Sequence, residues 1–171
     1  REALLLARTD PRLYCTVGIH PTRCSEFGLT DAERMHHVQN LLDVVKDGMR
    51  DGKVVALGEV GLDYERTEFC DIETQKAGLL DQLSLSQQTG LPIFVHNRNT
   101  GTDLYEILRQ HKQKFSKAVI HSFDDTYELA MKFISLKEEG GIYIGINGCS
   151  LKTAENLNVV QQLPLDRLLL E

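Results

Sequence analysis

The sequence lacks the cysteine pairs and long apolar runs that mark several common protein classes. Its four cysteines are scattered without a C-x-x-C pair, which argues against a disulfide framework or a zinc ribbon and suits a reducing compartment. The apolar cluster in the first residues, REALLLARTD, is too short to span a membrane and lacks the order of a secretory signal. We therefore expect a soluble intracellular protein of the nucleus or cytoplasm, with ordinary thiols and no membrane partner.

Basic excess and nucleotide-binding loops are also missing. The net charge of −6 argues against the broad basic face of most nucleic-acid binders. It leaves room for an enzyme that holds phosphates through metal ions, because the carboxylates and imidazoles of such a site make the formal charge more acidic than the loaded site. No G-x-G-x-x-G or Walker-type loop follows a predicted strand, which removes the main evidence for a nucleotide-binding sheet.

Strand-length apolar runs alternate with amphipathic segments along the 171 residues, which we interpret as one domain, residues 1–171. The runs are nearly continuous, as in parallel strands covered on both faces. Strands are predicted in YCTVGIH, KVVALGE, LPIFVH, KAVIHSF, GIYIGIN and RLLLE, and helices are predicted to begin at Asp31, Ile72, Thr102 and Thr126. The first helix has Met35 among the apolar residues at helical spacing, the second is closed by Gly90, and the fourth is expected to run to residue 140. This α/β alternation predicts a doubly wound sheet or a (β/α) barrel.

Polar residues stand where successive predicted strands end, and this pattern favours the barrel. They are His20, Glu59, His96, His121 and Asn147. In a barrel all these tips gather at one mouth, where active sites of this architecture lie. Glu59 poses a charge problem, since a carboxylate at the end of an apolar run needs a distant arginine, a proton or a metal ion to compensate it.

Glu59, His96 and His121 form a mixed carboxylate and imidazole set of the kind that divalent cations prefer, and the glutamate could bridge two ions. We therefore predict metal ligation by this trio. Gly58 and Gly61 would let the backbone pass closely around the site.

Other residues near the tips have two interpretations each. His20 alone reads better as a hydrogen-bonded rim residue than as a ligand. Asp63 either orients a ligand from outside the metal shell or caps a turn. Arg98 is either a phosphate clamp or a rim residue paired to a carboxylate, and we favour the clamp. Asn97 and Asn147 join Arg98 as predicted substrate-binding residues.

Several motifs together resemble the TatD family of metal-dependent deoxyribonucleases, and most closely its eukaryotic members. They are GIHPTRC, VVALGEVGLDY, LPIFVHNRN, VIHSFDDT, YIGINGCSLKT and LLLE, in the family's order over essentially the whole chain. The resemblance implies a TIM (β/α)8 barrel of the metal-dependent hydrolase type and a two-metal phosphodiesterase that degrades DNA, often as a 3′ to 5′ exonuclease.

The same resemblance implies roles for individual residues. Glu59 would be the bridging ligand and a catalytic residue, His96 and His121 ligands of the second ion, and His20 a nearby catalytic histidine. The implied cofactors are two divalent ions, Mg²⁺ by preference and Zn²⁺ or Mn²⁺ as alternatives. The implied partner is DNA, single-stranded or at 3′ ends, and we expect a monomer.

The chain also departs from the family pattern at both ends. Family members continue the last strand as E-T-D, whose aspartate is a metal ligand, whereas this sequence stops at Glu171. Counting strands, we expect an incomplete domain with about six of the eight barrel strands, and poor solubility from its unpaired edges. Two alternatives therefore stay open: a metallohydrolase of an amide or small phosphoester, and a catalytically incomplete fragment with a binding role.

Overall fold

One parallel sheet of six strands is found in the computed structural model, which describes residues 1–28, 30–136 and 141–171. The strands are β1 Cys15–Val17, β2 Val54–Asp63, β3 Ile93–Arg98, β4 Ala118–His121, β5 Ile142–Ile146 and β6 Leu168–Leu170. Each strand pairs in parallel with the next one along the chain. This order lacks the reversal of a doubly wound sheet and is that of a (β/α) barrel, here an open arc with β1 and β6 at its edges.

Six α-helices accompany the strands in the described residues: α1 Glu2–Ala7, α2 Asp31–Arg50, α3 Ile72–Thr89, α4 Asp103–Gln110, α5 Tyr127–Ser135 and α6 Ala154–Gln162. Their ends follow local chemistry. Thr30 and Glu33 form a capping box at the start of α2, and Asp71 caps α3. Gly90 ends α3 in the left-handed conformation, as the sequence predicts. No helix of the described ranges is long and apolar enough to cross a membrane.

The strand and helix predictions are confirmed in order and type, with two differences. Strand β2 was expected to end at Glu59 but continues to Asp63, so Glu59 lies within the strand, where the pairing with β3 shifts register between Leu57 and Val60. Met35, placed by its helical spacing on the apolar face of α2, is exposed. The predicted end of α5, residues 137–140, lies outside the described residues.

The hydrophobic core lies between the sheet and the helices. In β3, Val95 is fully buried on the helix side, while Phe94 and His96 are partly exposed on the other face, as strand alternation requires. Leu79 and Leu83 of α3 are also fully buried, and each such side chain stabilises the fold by roughly 1.5–3 kcal/mol. The packed helix side thus fixes the strands whose other face carries the polar residues.

Candidate metal centre

Three neighbouring strands and one loop bring the predicted metal-binding residues together. Glu59 lies in β2, His96 in β3 and His121 at the end of β4, and His96 is directly opposite His121 in the parallel ladder. His20 follows β1 and caps the 3-10 segment Pro21–Phe27. The four residues that the strand-tip pattern singled out thus lie close together in the structure, and their roles stay a prediction.

A single carboxylate oxygen is the centre of this site. Glu59 Oε1 lies 2.6 Å from His96 Nδ1, 3.4 Å from His121 Nε2 and 3.7 Å from His20 Nε2. The rings of His20 and His96 also meet edge to face, with centroids 4.6 Å apart. Three imidazoles thus present one nitrogen each to the same glutamate.

The second nitrogen of each imidazole is held by another side chain. His20 Nδ1 lies 2.7 Å from Thr22 Oγ1, and His121 Nδ1 lies 2.9 Å from Glu171 Oε2. His96 Nε2 lies 3.1 Å from an oxygen of Asp63. This arrangement is typical of metal-ligating histidines, whose outer nitrogen is fixed by a carboxylate, carbonyl or hydroxyl partner.

The donor atoms suit a divalent ion. One donor each from His20, Glu59 and His96 lies within 4.8 Å of the other two, so this group could hold a metal ion. The grouping differs from the predicted trio, because it includes His20 in place of His121. His20 therefore combines both of its interpretations, being hydrogen-bonded to Thr22 and part of the potential ligand set.

Burial and neighbouring charges shift the pKa values of these groups. Desolvation alone would raise the pKa of Glu59, but the hydrogen bond with His96 and the nearby imidazoles hold the pKa below its usual value. Burial, reinforced by His96, lowers the pKa of His20. The hydrogen bond to Glu171 raises the pKa of His121 against the effect of burial. Glu59 is therefore a carboxylate and His20 a neutral imidazole at neutral pH.

Two glycines make room for the polar groups. Gly61 has φ +140°, and a Cβ atom at this position would lie 2.1 Å from the carbonyl oxygen of His96. A Cβ atom at Gly145 would lie 2.2 Å from Glu171 Oε1. The close approach predicted for Gly61 is confirmed, and a similar approach at Gly58 brings β2 against Phe94.

The predicted substrate-binding residues are nearby, but their polar groups already have partners. Arg98 pairs with Glu65, which matches the rim interpretation rather than a free phosphate clamp. Asn97 is buried and its Oδ1 accepts the Thr100 hydroxyl. Their contact with substrate stays a prediction.

Asn147 has its amide engaged at both ends. It donates to Ser122 Oγ at 2.6 Å and accepts the backbone N–H of Cys149 at 2.8 Å. Its side chain therefore braces the loops that follow β4 and β5, and its expected contact with substrate stays a prediction.

Asp63, predicted to orient a ligand or cap a turn, does both. Its Oδ2 contacts His96, and its Oδ1 accepts the backbone N–H of Glu65 at 3.1 Å. The buried carboxylate therefore joins the end of β2 to the metal-binding imidazole of β3.

Sequence reasoning missed the role of Glu171. Its Oε2 accepts the backbone N–H of Ser122 at 3.1 Å as well as contacting His121. The signal was present, since in LLLE an apolar run is followed by a carboxylate just as in VVALGE. We had considered Glu171 only as the residue before an expected aspartate.

A cavity of about 430 Å³ adjoins the imidazoles. It is lined by His96, Arg98, His121, Ser122, Cys149, Lys152 and Asn156, among others. Lys152 is exposed and has no ion-pair partner among the described residues. The cavity therefore joins the candidate metal centre to cationic and hydroxyl-bearing side chains.

A family model and several known proteins match this chain. A family model described as TatD related DNase matches residues 1–171. The chain is 38% identical over 171 residues to a protein named Deoxyribonuclease Tat-D from Schizosaccharomyces pombe, covering 99% of this chain and 54% of that protein. It is 33% identical to a 3′-5′ ssDNA/RNA exonuclease TatD from Erwinia tasmaniensis, covering 100% of this chain and 62% of that protein.

Among solved structures, an uncharacterized amidohydrolase from Saccharomyces cerevisiae superposes with a TM-score of 0.89 at 29% identity, covering 99% of this chain and 59% of that one. The chain spans about half the length of the curated relatives it matches.

Proposed function

The chain belongs to the TatD-related DNase family, and from this membership we propose that it forms the metal centre of a deoxyribonuclease that hydrolyses DNA phosphodiester bonds. The observation that carries the proposal is Glu59 Oε1 among three imidazole nitrogens, each imidazole held from outside by another side chain. The name of the Erwinia relative supports the finer proposal of 3′ to 5′ action on single strands.

We propose that two divalent ions share Glu59. His20 and His96 would hold one ion together with the glutamate, and His121 would contribute to the other. When bound, the ions supply positive charge for a phosphodiester and a Lewis acid that activates water. Because imidazole donors suit Zn²⁺ better than Mg²⁺ or Mn²⁺, the donor set favours Zn²⁺ over the Mg²⁺ expected from the resemblance.

The protein's own residues would order the site. Asp63 and Glu171 fix the planes of His96 and His121, so that the inner nitrogens point at Glu59. Lys152 would contact a phosphate of the strand as it leaves the cavity, which has the volume of a small-ligand site rather than that of a duplex groove. This size supports a preference for single strands or strand ends.

The loop after β2 offers a second contact for a single strand. Phe69 is 64% exposed in this loop, although exposure of a large aromatic side chain to water is energetically unfavourable. Bases of single strands stack on such side chains without sequence preference. Cys70, the next residue of the same loop, belongs to a small apolar cluster against which Ile19 packs, and Ile19 immediately precedes His20, so the loop lies near the candidate metal centre.

Nucleotide release from a labelled single-stranded oligonucleotide tests the proposal. The substrate carries the label at its 3′ or its 5′ end, a matching duplex is run beside it, and Mg²⁺, Mn²⁺ and Zn²⁺ are compared with a chelator. We expect metal-dependent release that Glu59→Gln lowers by more than about 100-fold, since loss of a ligand should exceed the effect of losing its outer partner. Glu26→Gln, which changes an exposed carboxylate paired to Arg23, is the matched control.

The assay should use this polypeptide both alone and extended to the length of its curated relatives. Activity of the extended protein alone would favour the incomplete, binding-only interpretation of the 171 residues. Metal binding without cleavage of any DNA would reject the nuclease and favour hydrolysis of an amide or small phosphoester.

A further inference from the structure

Helix α3 carries two glutamines, Gln75 and Gln82, that are almost completely buried although each ends in a polar amide. They lie seven residues apart, which is two helical turns, so they share one face of the helix. A buried amide without hydrogen bonds destabilises a fold, and both side chains therefore need a full set of partners.

Each glutamine binds the backbone of one residue twice. Gln82 Oε1 accepts the N–H of Ile19 at 2.6 Å, and its Nε2 donates to the carbonyl of Ile19 at 3.0 Å. Likewise, Gln75 Oε1 accepts the N–H of Asp63 at 2.7 Å, and Gln75 Nε2 donates to the carbonyl of Asp63 at 2.8 Å. The second hydrogen of each Nε2 goes to a further backbone carbonyl. Each glutamine amide thus forms both hydrogen bonds, one to the N–H and one to the carbonyl, that a directly opposite residue would form in an antiparallel sheet.

These bonds replace strand pairing where pairing stops. Strand β1 ends at Val17, which is paired with Leu57, so Ile19 and the later part of β2 lie beyond the β1–β2 ladder. Peptide groups buried there would have no strand partner on that side in the described part of the chain. The glutamines satisfy them from the helix layer.

The two anchored residues lead directly to the metal centre. Ile19 immediately precedes His20, and Asp63 holds the outer nitrogen of His96 at 3.1 Å. We propose that Gln82 and Gln75 are positioning residues of the metal centre, Gln82 fixing His20 through Ile19 and Gln75 fixing His96 through Asp63. This inference rests on the metal centre of the proposed function, but not on its substrate.

Thermodynamic reciprocity gives a test in the unmodified protein. If these bonds favour metal binding, then a bound metal must favour the bonds by the same factor. Amide hydrogen exchange of Ile19 and Asp63 should therefore become slower when Zn²⁺ is added to the metal-free protein. The backbone N–H of Gly90, bonded within the far end of α3 to the Ser86 carbonyl, is the internal reference and should not change.

Substitution gives the second test. Gln82→Met and Gln75→Met keep the length and apolar stem but remove the paired bonds. Ser86→Ala is the matched control, because Ser86 is equally buried on α3 and its hydroxyl donates to Leu91 at the opposite end of the sheet. We expect each methionine variant to bind Zn²⁺ about 10–100-fold more weakly in competition with a chromophoric chelator, and Ser86→Ala to bind as the wild type does.

The visible spectrum of the Co²⁺-loaded protein reports ligand geometry and should change in the methionine variants alone. Unchanged Zn²⁺ affinity and an unchanged Co²⁺ spectrum in folded variants would overturn the inference. Amide exchange rates at Ile19 and Asp63 that are the same with and without Zn²⁺ would also overturn it. If a methionine variant fails to fold, the exchange experiment on the wild type decides alone. Failure of the wild type to bind metal would overturn both the metal centre and this inference, whereas metal binding without DNA cleavage would reject only the nuclease.

Discussion

Replacing Gly61 by alanine should damage both the fold and the metal centre. The position combines φ +140° with a neighbouring carbonyl, since an added Cβ atom would lie 2.1 Å from the His96 oxygen and 2.9 Å from the His96 nitrogen. These are backbone atoms, so no side-chain rotation can relieve the overlap. Strand β3 would have to move away from β2 at the residue that carries the imidazole.

The expected cost has two parts. A non-glycine residue held in such a backbone conformation costs about 1–3 kcal/mol. Forcing an extra carbon into a packed interior costs about 1–3 kcal/mol more. Ordinary contact requires a separation of about 3.5 Å, so the 2.1 Å approach to the His96 oxygen calls for a movement of about 1.4 Å, that is, more than 1 Å. A displacement of that size at a catalytic group can lower activity about 100-fold.

Gly90→Ala separates strain from overlap. Gly90 is also left-handed, at φ +72°, but a Cβ atom there would meet nothing within 4 Å, and the residue ends α3 before the start of β3, at the opposite end of that strand from His96. It should cost only the conformational strain, about 1–2 kcal/mol. Urea unfolding followed by far-ultraviolet circular dichroism measures both variants, and Zn²⁺ competition measures their metal affinity. The reasoning is refuted if Gly61→Ala is no less stable than Gly90→Ala and binds metal equally well.

Three further outcomes are expected. Lys152→Ala should raise the KM for a single-stranded oligonucleotide and leave kcat unchanged. It should also reduce the slope of the logarithm of the binding constant against the logarithm of the salt concentration by about one. The control Lys46→Ala, on the exposed side of α2, should change none of these quantities. Phe69→Ala should weaken binding of the same oligonucleotide by about 1–3 kcal/mol in fluorescence anisotropy, and equal binding would exclude base stacking there. Alkylation at pH 8 should modify exposed Cys149 first, and the oligonucleotide should slow the reaction there because Cys149 lines the cavity. Cys24, whose thiol pKa is raised to about 12 by burial, should react only when the protein unfolds. Equal alkylation rates at the two cysteines would contradict the burial of Cys24.

Sequence reasoning succeeded where the information was local and periodic. Continuous apolar runs predicted six strands, and turn and capping residues such as Gly90 predicted where helices end. The parallel topology then placed His20, His96 and His121 at one edge without any knowledge of their contacts. The fold type follows from these patterns because strands covered by a helix layer must be apolar. The approximate site follows because the ends of parallel strands lie at one edge of the sheet.

The site's supporting contacts could not be predicted because they join residues far apart in sequence. Glu59 was expected at a strand end, but β2 continues past it through an irregular pairing with β3. Glu171, which follows β6, contacts His121 of β4 across the intervening strand β5, and Gln82 of α3 bonds to Ile19 from the helix layer. A glutamine inside an apolar helix pattern does not reveal whether it faces water or binds a backbone group. Only the packed helix answers that question.

The proposed metal centre would also let an acidic chain bind a polyanion. Three carboxylates, those of Glu59, Asp63 and Glu171, converge on the imidazoles, and their combined formal charge is half as large as the chain's net charge of −6. Two divalent ions at this place would outweigh the three negative charges and make the mouth locally cationic. On the proposed function, the compensation that Glu59 requires would come from the metal rather than from a basic surface, and a phosphate would be attracted only where the ions are. An acidic surface would then disfavour long duplex DNA elsewhere on the molecule, while a strand end entering the cavity would meet Lys152 and the metal centre together.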